Sequence, residues 1–187
     1  VFNLKKDRLS KLVNLISDAN RNGTSIRTVE IMAELVDHEV VQLLKKAQVV
    51  SVETGPQTVN RETLRTINRS YDKEKFERGV TLLLAGGIEV LTDLIIGLPG
   101  DNLFRFARSI KAMIQLKPTT IVCSILHVLP GTELYENSGN LGLEFDEKAP
   151  HMVVKNSTFP YEEIDKAVIM SVSVGKEYNM RLPGTSS

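Results

Sequence analysis

The alternation of β-branched segments with longer amphipathic segments is the feature that most limits the folds open to this chain. This unit recurs four times, with strands predicted over residues 25–32, from residue 49 to the Gly55-Pro56 turn, and over 88–96 and 119–128. Such alternation favours a parallel sheet with helical crossovers, either closed as a barrel or open and doubly wound. A complete eight-fold barrel needs about 250 residues, and the chain has 187. The sequence therefore predicts a partial (β/α) barrel.

Turn and capping residues predict where the helices and strands begin and end. Asp37, Asn60 and Asp72 are predicted helix caps, and Gly55-Pro56 is expected to end the second strand. The helix before Pro118 is expected to bury an apolar stripe, and the strand and helix signals are weak over 143–158. The members of that stripe are Phe104, Ala107, Ile110, Met113 and Ile114.

The carboxyl-terminal part is expected to be separate from the barrel. We predict a barrel domain over residues 1–158, followed over 159–187 by a helix from Tyr161 to Tyr178 and a disordered tail from Leu182. The chain begins with Val1, and its first residues have the pattern of the end of a strand, so we expect it to be part of a longer protein. We expect the upstream part of that protein to be a partner of this chain.

Composition narrows the classes of function. Lys plus Arg and Asp plus Glu are 23 each, so no global field attracts nucleic acid, and no apolar run reaches the length of about 18 residues that spans a bilayer. The single cysteine, Cys123, excludes an internal disulfide and a multi-cysteine metal site within this chain. We expect a cytoplasmic protein that acts on a small molecule.

Polar residues collect where the predicted strands end, which is where parallel α/β folds place functional groups. Carboxylates, amides and an imidazole at one edge would suit a ligand that carries a ribose, an amine and a carboxylate. These residues are Asn3, Glu30, Glu34, Glu53, Gln57, Asp93, Asp101 and His127.

Each of these residues also has a structural interpretation. Glu30 and Asp93 lie in otherwise apolar strands, where burial without a partner would cost several kcal/mol, so a functional role is favoured. Gln57 could satisfy loop backbone, and Arg69 could be a solvated arginine. His127 is more readily interpreted as a hydrogen-bonded core histidine, and Cys123 is expected to be a small buried hydrophobe.

Four motifs occur in an order that resembles the later part of the radical S-adenosylmethionine (SAM) barrel. The first is a strand ending in Glu30, followed by Glu34 and a helix. The others are Gly55-Pro-Gln-Thr58 with Leu64-Arg-Thr-Ile-Asn-Arg69, Gly87-Ile88 with Asp93-Leu-Ile-Ile-Gly-Leu-Pro-Gly100, and Leu129-Pro-Gly-Thr132. The similarity extends from Val1 to about Thr132.

The resemblance implies a role for each polar residue in binding SAM. Glu30 would meet the amino group, Gln57 and Asp93 would hold the ribose, and Arg69 would bind the carboxylate. These pairings match carboxylate to ammonium, guanidinium to carboxylate, and amide or carboxylate to hydroxyl groups.

The adenine of SAM would lie against the strand around Ile95 and the backbone from Leu126 to Leu129, a stretch that includes His127. The resemblance also implies a [4Fe-4S] cluster, which in the intact protein would reductively cleave SAM to a 5′-deoxyadenosyl radical for hydrogen abstraction. It assigns no catalytic side chain and no metal ligand to this chain.

The chain departs from the family pattern in lacking the Cys-x-x-x-Cys-x-x-Cys loop that holds the cluster. We therefore expect the cluster ligands to lie outside these residues and the chain to be inactive alone. Ala149-Pro-His-Met152 and the Asp93–Asp101 segment are most similar to radical SAM proteins with a cobalamin-binding domain, a group that includes the anaerobic Mg-protoporphyrin IX monomethyl ester oxidative cyclase.

Two other functions fit the residues. A cluster-independent aldolase or hydrolase barrel would use Glu30, Asp93 and His127 and would need no upstream sequence. A degenerate barrel would bind a nucleotide or a protein without catalysis.

Overall fold

The computed structural model describes residues 1–180 and contains a four-stranded parallel sheet whose strand order follows the chain. The strands of this sheet are β1 (Val29–Glu30), β2 (Ser51–Gln57), β3 (Glu89–Ile96) and β4 (Thr120–Ile125). The order β1-β2-β3-β4 contains no reversal, so the sheet is wound in one direction, as in a barrel, whereas a doubly wound sheet reverses at a switch point. The predicted partial (β/α) barrel is confirmed.

Helices separate the strands, and a small hairpin follows them. The helices are α1 (Lys6–Ala19), α2 (His38–Lys46), α3 (Arg61–Thr66), α4 (Lys73–Ala85), α5 (Leu103–Leu116), α6 (Glu133–Glu136) and α7 (Tyr161–Val174). A 3-10 turn spans Ala33–Leu35, and a π-helical turn over Gly175–Asn179 extends α7. The expected disorder of residues 182–187 lies outside the described residues. Within residues 1–180, no helix is both long and apolar enough to cross a membrane.

The predicted caps of three helices are confirmed. The side chain of Asp37 accepts a hydrogen bond from the Val40 amide at 2.9 Å, and that of Asn60 accepts one from the Glu62 amide at 3.0 Å. Asp72 accepts one from the Lys75 amide at 3.1 Å. Each cap satisfies amide groups that have no partner within the helix, which fixes where the helix begins.

Three strand predictions need correction. The strand expected over 25–32 is reduced to β1 and an isolated bridge between Ile26 and Val49, because most of residues 21–28 are exposed and have little to pack against. β2 does not end at Gly55-Pro56 but continues to Gln57. The weak segment 143–158 contains an antiparallel hairpin of β5 (Glu144–Phe145) and β6 (Val153–Lys155), whose strands are too short to give a sequence period.

The buried face of α5 also differs from the prediction. Phe104 is 72% exposed and Ile114 is 41% exposed, whereas Phe106 is fully buried. Phe106, Ser109, Ile110 and Met113 form the buried face, and they follow the same helical spacing as the predicted stripe. Ile110 and Met113 of the predicted stripe are therefore confirmed as buried, whereas the prediction is wrong for Phe104 and Ile114, and Phe106 is buried instead.

The chain forms two compact units. The first comprises Val1–Gly55, Asp72–Thr92 and Leu116–Thr120. In it, the buried side chain of Asn3 donates to the Met32 carbonyl and accepts from the Met32 amide, both at 2.8 Å, which ties the start of the chain to the segment after β1. Gly79 of α4 packs against Ala33 so closely that an added Cβ would lie 1.9 Å from the Ala33 carbonyl oxygen.

The second unit comprises residues 56–71, 93–115 and, within the described part, 121–180. It contains α3, α5, the β5–β6 hairpin and α7, and Phe106 and Phe159 are fully buried in it. The division at residue 158 that the sequence suggested stays a prediction.

Replacing Gly79 by alanine is expected to destabilise the protein by about 1–3 kcal/mol or more, because the backbone of Ala33 would have to move to admit the methyl group. Urea unfolding followed by circular dichroism measures the change. Gly175→Ala is the matched control, since Gly175 has helical φ and ψ and no atom within 4 Å of its added Cβ. That variant should be between unchanged and about 1 kcal/mol more stable. Equal stability of the two variants would contradict the close contact at Gly79.

Candidate functional site

A cavity of about 350 Å³ in the second unit brings three of the predicted site residues together. Gln57, Arg69 and Ile95 line it, and so does Leu126, the first residue of the backbone stretch predicted to contact adenine. The remaining lining residues are Thr66, Ile67, Asn68, Leu98, Thr132, Glu133, Leu134, Asn137 and Leu141. The wall is thus largely apolar, with a guanidinium, a carboxylate, hydroxyls and amides projecting from it.

The end of α3 positions Arg69. Asn68 adopts a left-handed conformation with φ of 50°, its amide donates to the Arg65 carbonyl at 3.1 Å, and the Arg69 amide donates to the Leu64 carbonyl at 2.8 Å. These two bonds form a Schellman motif, in which asparagine is one of the few residues besides glycine that tolerates the left-handed position. The motif fixes the backbone of Arg69 directly after the helix, beside the cavity.

Gln57 occupies a strained position at the carboxyl end of β2. Its φ of 65° lies in the left-handed region, which non-glycine residues adopt at a cost, and such positions concentrate at functional sites. The next residue, Thr58, is fully buried, and its hydroxyl lies 3.2 Å from the Ser109 hydroxyl of α5. Ser109 also accepts from the Val59 amide at 3.1 Å. This pair of hydroxyls holds the turn that presents Gln57.

Four side chains from three separate segments hold the loop Gly97–Gly100 after β3. Asn156, 5% exposed, donates to the Gly97 carbonyl at 2.8 Å, and the Gly100 amide donates to the Thr158 hydroxyl at 2.9 Å. The Gly100 carbonyl accepts from the Thr63 hydroxyl at 2.9 Å and from Arg105 Nη1 at 2.5 Å. The loop is therefore fixed at both ends.

The other predicted residues are not among those that line the cavity. Asp93 is half-buried on β3, near the thiol of Cys123. His127 is exposed and forms an isolated bridge with Met152, so its interpretation as a core histidine is wrong. Glu30 lies in the first unit and is exposed, so the buried carboxylate inferred from its apolar surroundings is also wrong. Their roles toward SAM stay predictions.

Sequence reasoning missed the contribution of α6 to this cavity. Thr132, Glu133 and Asn137 line it, and Thr132 caps the short helix by accepting from the Tyr135 amide at 3.3 Å. In the sequence, Leu129-Pro-Gly-Thr132 is one of the four motifs of the family resemblance. A threonine followed by Glu133 is also a helix-start signal, and it could have indicated the helix that brings a carboxylate here.

Asp101 is a buried carboxylate directly after the Gly97–Gly100 loop. Its Oδ1 accepts from the Asn102 amide at 2.9 Å, whereas its Oδ2 has no hydrogen-bond partner in the part of the chain that the structure describes. Burial raises the pKa of this carboxyl above its usual value, against the lowering effect of the Asn102 amide. Asp101 therefore differs from the exposed carboxylates of the helices.

Two bacterial proteins are similar in sequence to part of this chain. An uncharacterized protein from Bacillus subtilis, YtqA, is 35% identical over 94 residues, which cover 50% of this chain and 29% of YtqA. Protein YhcC of Escherichia coli K12 is 27% identical over 139 residues, which cover 71% of this chain and 44% of YhcC. The chain thus spans less than half the length of both relatives.

Among solved structures, the radical SAM methyltransferase TsrM of Kitasatospora setae has a similar fold. The TM-score is 0.64 at 23% identity, and the match covers 82% of this chain and 32% of TsrM. That enzyme has been determined with a SAM analogue and with cobalamin and a [4Fe-4S] cluster. At this identity the similarity concerns the fold.

The family model named Radical SAM superfamily matches residues 2–113, more than half of the chain. The matched region contains three of the four motifs, from Glu30 to Gly100, and includes the Schellman turn at Arg69 and the Gly97–Gly100 loop. The chain belongs to the radical SAM superfamily.

Proposed function

We propose that the cavity in the second unit binds S-adenosylmethionine and that the chain is the SAM-binding part of a radical SAM enzyme. The observation that carries this proposal is the presence of Arg69 and Glu133 in one largely apolar cavity. A guanidinium and a carboxylate suit a ligand with both a carboxylate and an ammonium group, and the cavity volume is in the range of small-molecule sites.

The chain's own residues bind and orient this ligand. Arg69 forms a charge-assisted pair with the SAM carboxylate, Gln57 donates to or accepts from the ribose hydroxyls, and Ile95 with Leu126 provides an apolar surface for the adenine. Asp93 assists at the ribose, as the family resemblance implies, and Glu133, the carboxylate of the same cavity, meets the amino group. The role that the resemblance gives to Glu30 stays a prediction. The Gly97–Gly100 loop contributes Leu98 to the cavity and is held at both ends, so this part of the wall keeps its position before the ligand binds.

The residues described here do not fit a [4Fe-4S] cluster. The sequence has one cysteine, and residues 1–180 contain no group of three or more His, Cys, Asp or Glu side chains that could hold a metal ion. Burial, together with the nearby charge of Asp93, raises the pKa of the Cys123 thiol from 9.0 to about 12, whereas cluster ligands are thiolates. The cluster that the family uses to cleave SAM would need ligands from outside this chain.

We also propose, more specifically, that the intact protein uses cobalamin or catalyses an oxidative-cyclase reaction. Both proposals rest on the motif resemblance, and the similarity to TsrM supports the fold on which a cobalamin-assisted reaction would operate. The substrate would be a small molecule held by loops and by parts of the protein outside this chain, since specificity in such barrels comes from loops and added domains.

Arg69→Ala is expected to weaken SAM binding roughly 10- to 100-fold and to leave 5′-methylthioadenosine binding unchanged. The second ligand has the adenine, ribose and thioether of SAM but no carboxylate, so the loss isolates the charge-assisted bond. Titration calorimetry measures both ligands. Arg65→Ala is the matched control, because Arg65 is exposed and lies on α3 just before the turn that carries Arg69, and this variant should change neither affinity. Equal losses for the two ligands, or none for SAM, would contradict the assignment.

Cys123 is expected to react with iodoacetamide roughly 1000-fold more slowly in the native protein at pH 8 than in the urea-unfolded chain. A thiol whose pKa is raised from 9.0 to about 12 carries far less thiolate at that pH. The rate should rise as the pH approaches 12, and Asp93→Asn should increase it modestly because one negative charge is removed. Mass spectrometry of the modified cysteine gives the rate, and similar rates in the native and unfolded states would refute the raised pKa.

A further inference from the structure

We propose that a second cavity in the same unit, lined by three arginines, is a binding site for the phosphate group of a small molecule. The cavity has a volume of about 380 Å³. It is lined by Val59, Asn60, Arg61, Glu62, Arg105 and Arg108, and shares none of these residues with the proposed SAM cavity. This inference goes beyond the proposed function and does not depend on it.

The charges of this arginine cavity are not balanced within the unit. Arg105 Nη2 pairs with Glu62 at 2.5 Å, and its Nη1 donates to the Gly100 carbonyl. Arg61 and Arg108 are exposed, and their side chains form no hydrogen bond or ion pair with any residue between 1 and 180. The charged residues that line the cavity are thus three arginines and one glutamate, and the side chains of Arg61 and Arg108 leave an excess of positive charge there.

The position of Arg105 is fixed, which distinguishes this cavity from a scatter of surface arginines. Its two hydrogen bonds join α5 to α3 and to the loop after β3, and its side chain is 31% exposed. Arg108 lies one helical turn further along α5, and Arg61 is the first residue of α3. A preorganised guanidinium loses little conformational freedom when it binds an anion, and the planar fork matches phosphate oxygens in a bidentate geometry.

The size and charge of the cavity favour a small ligand over a nucleic acid. The whole chain has 23 basic and 23 acidic residues, so the positive charge is local and no extended basic surface follows a polynucleotide backbone. The helices that carry these arginines begin after the carboxyl ends of β2 and β3, where ligands of parallel α/β folds bind. A phosphorylated substrate or a free polyphosphate would present the same chemistry.

Titration calorimetry with pyrophosphate as the probe tests this proposal on the protein. We expect measurable binding, weakened about tenfold or more in Arg61→Ala and in Arg108→Ala and abolished when both are replaced. Arg65→Ala is the matched control, because Arg65 is an exposed arginine on α3 outside the cavity, and its loss should change the affinity less than twofold. Arg105 is left intact because it also holds the Gly100 loop.

The proposal would be overturned if the unaltered protein did not bind pyrophosphate, or if Arg65→Ala lost as much affinity as Arg61→Ala. It would also be overturned if a single-stranded RNA oligonucleotide bound more tightly than pyrophosphate and its binding depended equally on Arg61 and Arg65. The same variants should bind SAM as the unaltered protein does, so failure of this site and failure of the SAM site are distinguishable. Unchanged circular dichroism of each variant excludes a loss of fold.

Discussion

The carbonyl oxygen of Gly100 is the acceptor on which the arrangement of the second unit depends. It receives the Thr63 hydroxyl at 2.9 Å and Arg105 Nη1 at 2.5 Å, so that α3, the loop after β3 and α5 meet at one atom. Gly100 adopts φ of 82°, and an added Cβ would lie 3.1 Å from the Thr66 hydroxyl oxygen, so a larger residue would disturb the junction. Glycine adopts this φ without the strain that a side chain would bring.

Both proposed ligand sites follow from this junction. Thr63 anchors the middle of α3, and three residues later the helix ends in the Schellman turn that fixes Arg69 beside the SAM cavity. Arg105, held by the same carbonyl, stands in the arginine cavity together with the start of α3. Helix α3 therefore carries one guanidinium toward each site from opposite ends, Arg61 at its first residue and Arg69 just after its last turn.

Sequence reasoning recovered what depends on short-range signals. Side-chain chemistry predicted the helix caps at Asp37, Asn60 and Asp72. The order of the motifs predicted the winding of the sheet and pointed to Gln57, Arg69 and Ile95, which line the cavity. It failed where packing decides between equal patterns, as for Phe104 and Phe106 on α5. The contribution of Glu133 depends on a helix of four residues, which leaves no periodic signal.

A structure of the protein with S-adenosylhomocysteine bound tests most directly the proposed binding of SAM in the cavity that Arg69 and Gln57 line. We expect the ligand carboxylate within hydrogen-bond distance of the Arg69 guanidinium, the ribose near Gln57, and the adenine against Ile95 and Leu126. A ligand bound outside this cavity, or one whose carboxylate makes no contact with Arg69, would contradict the account.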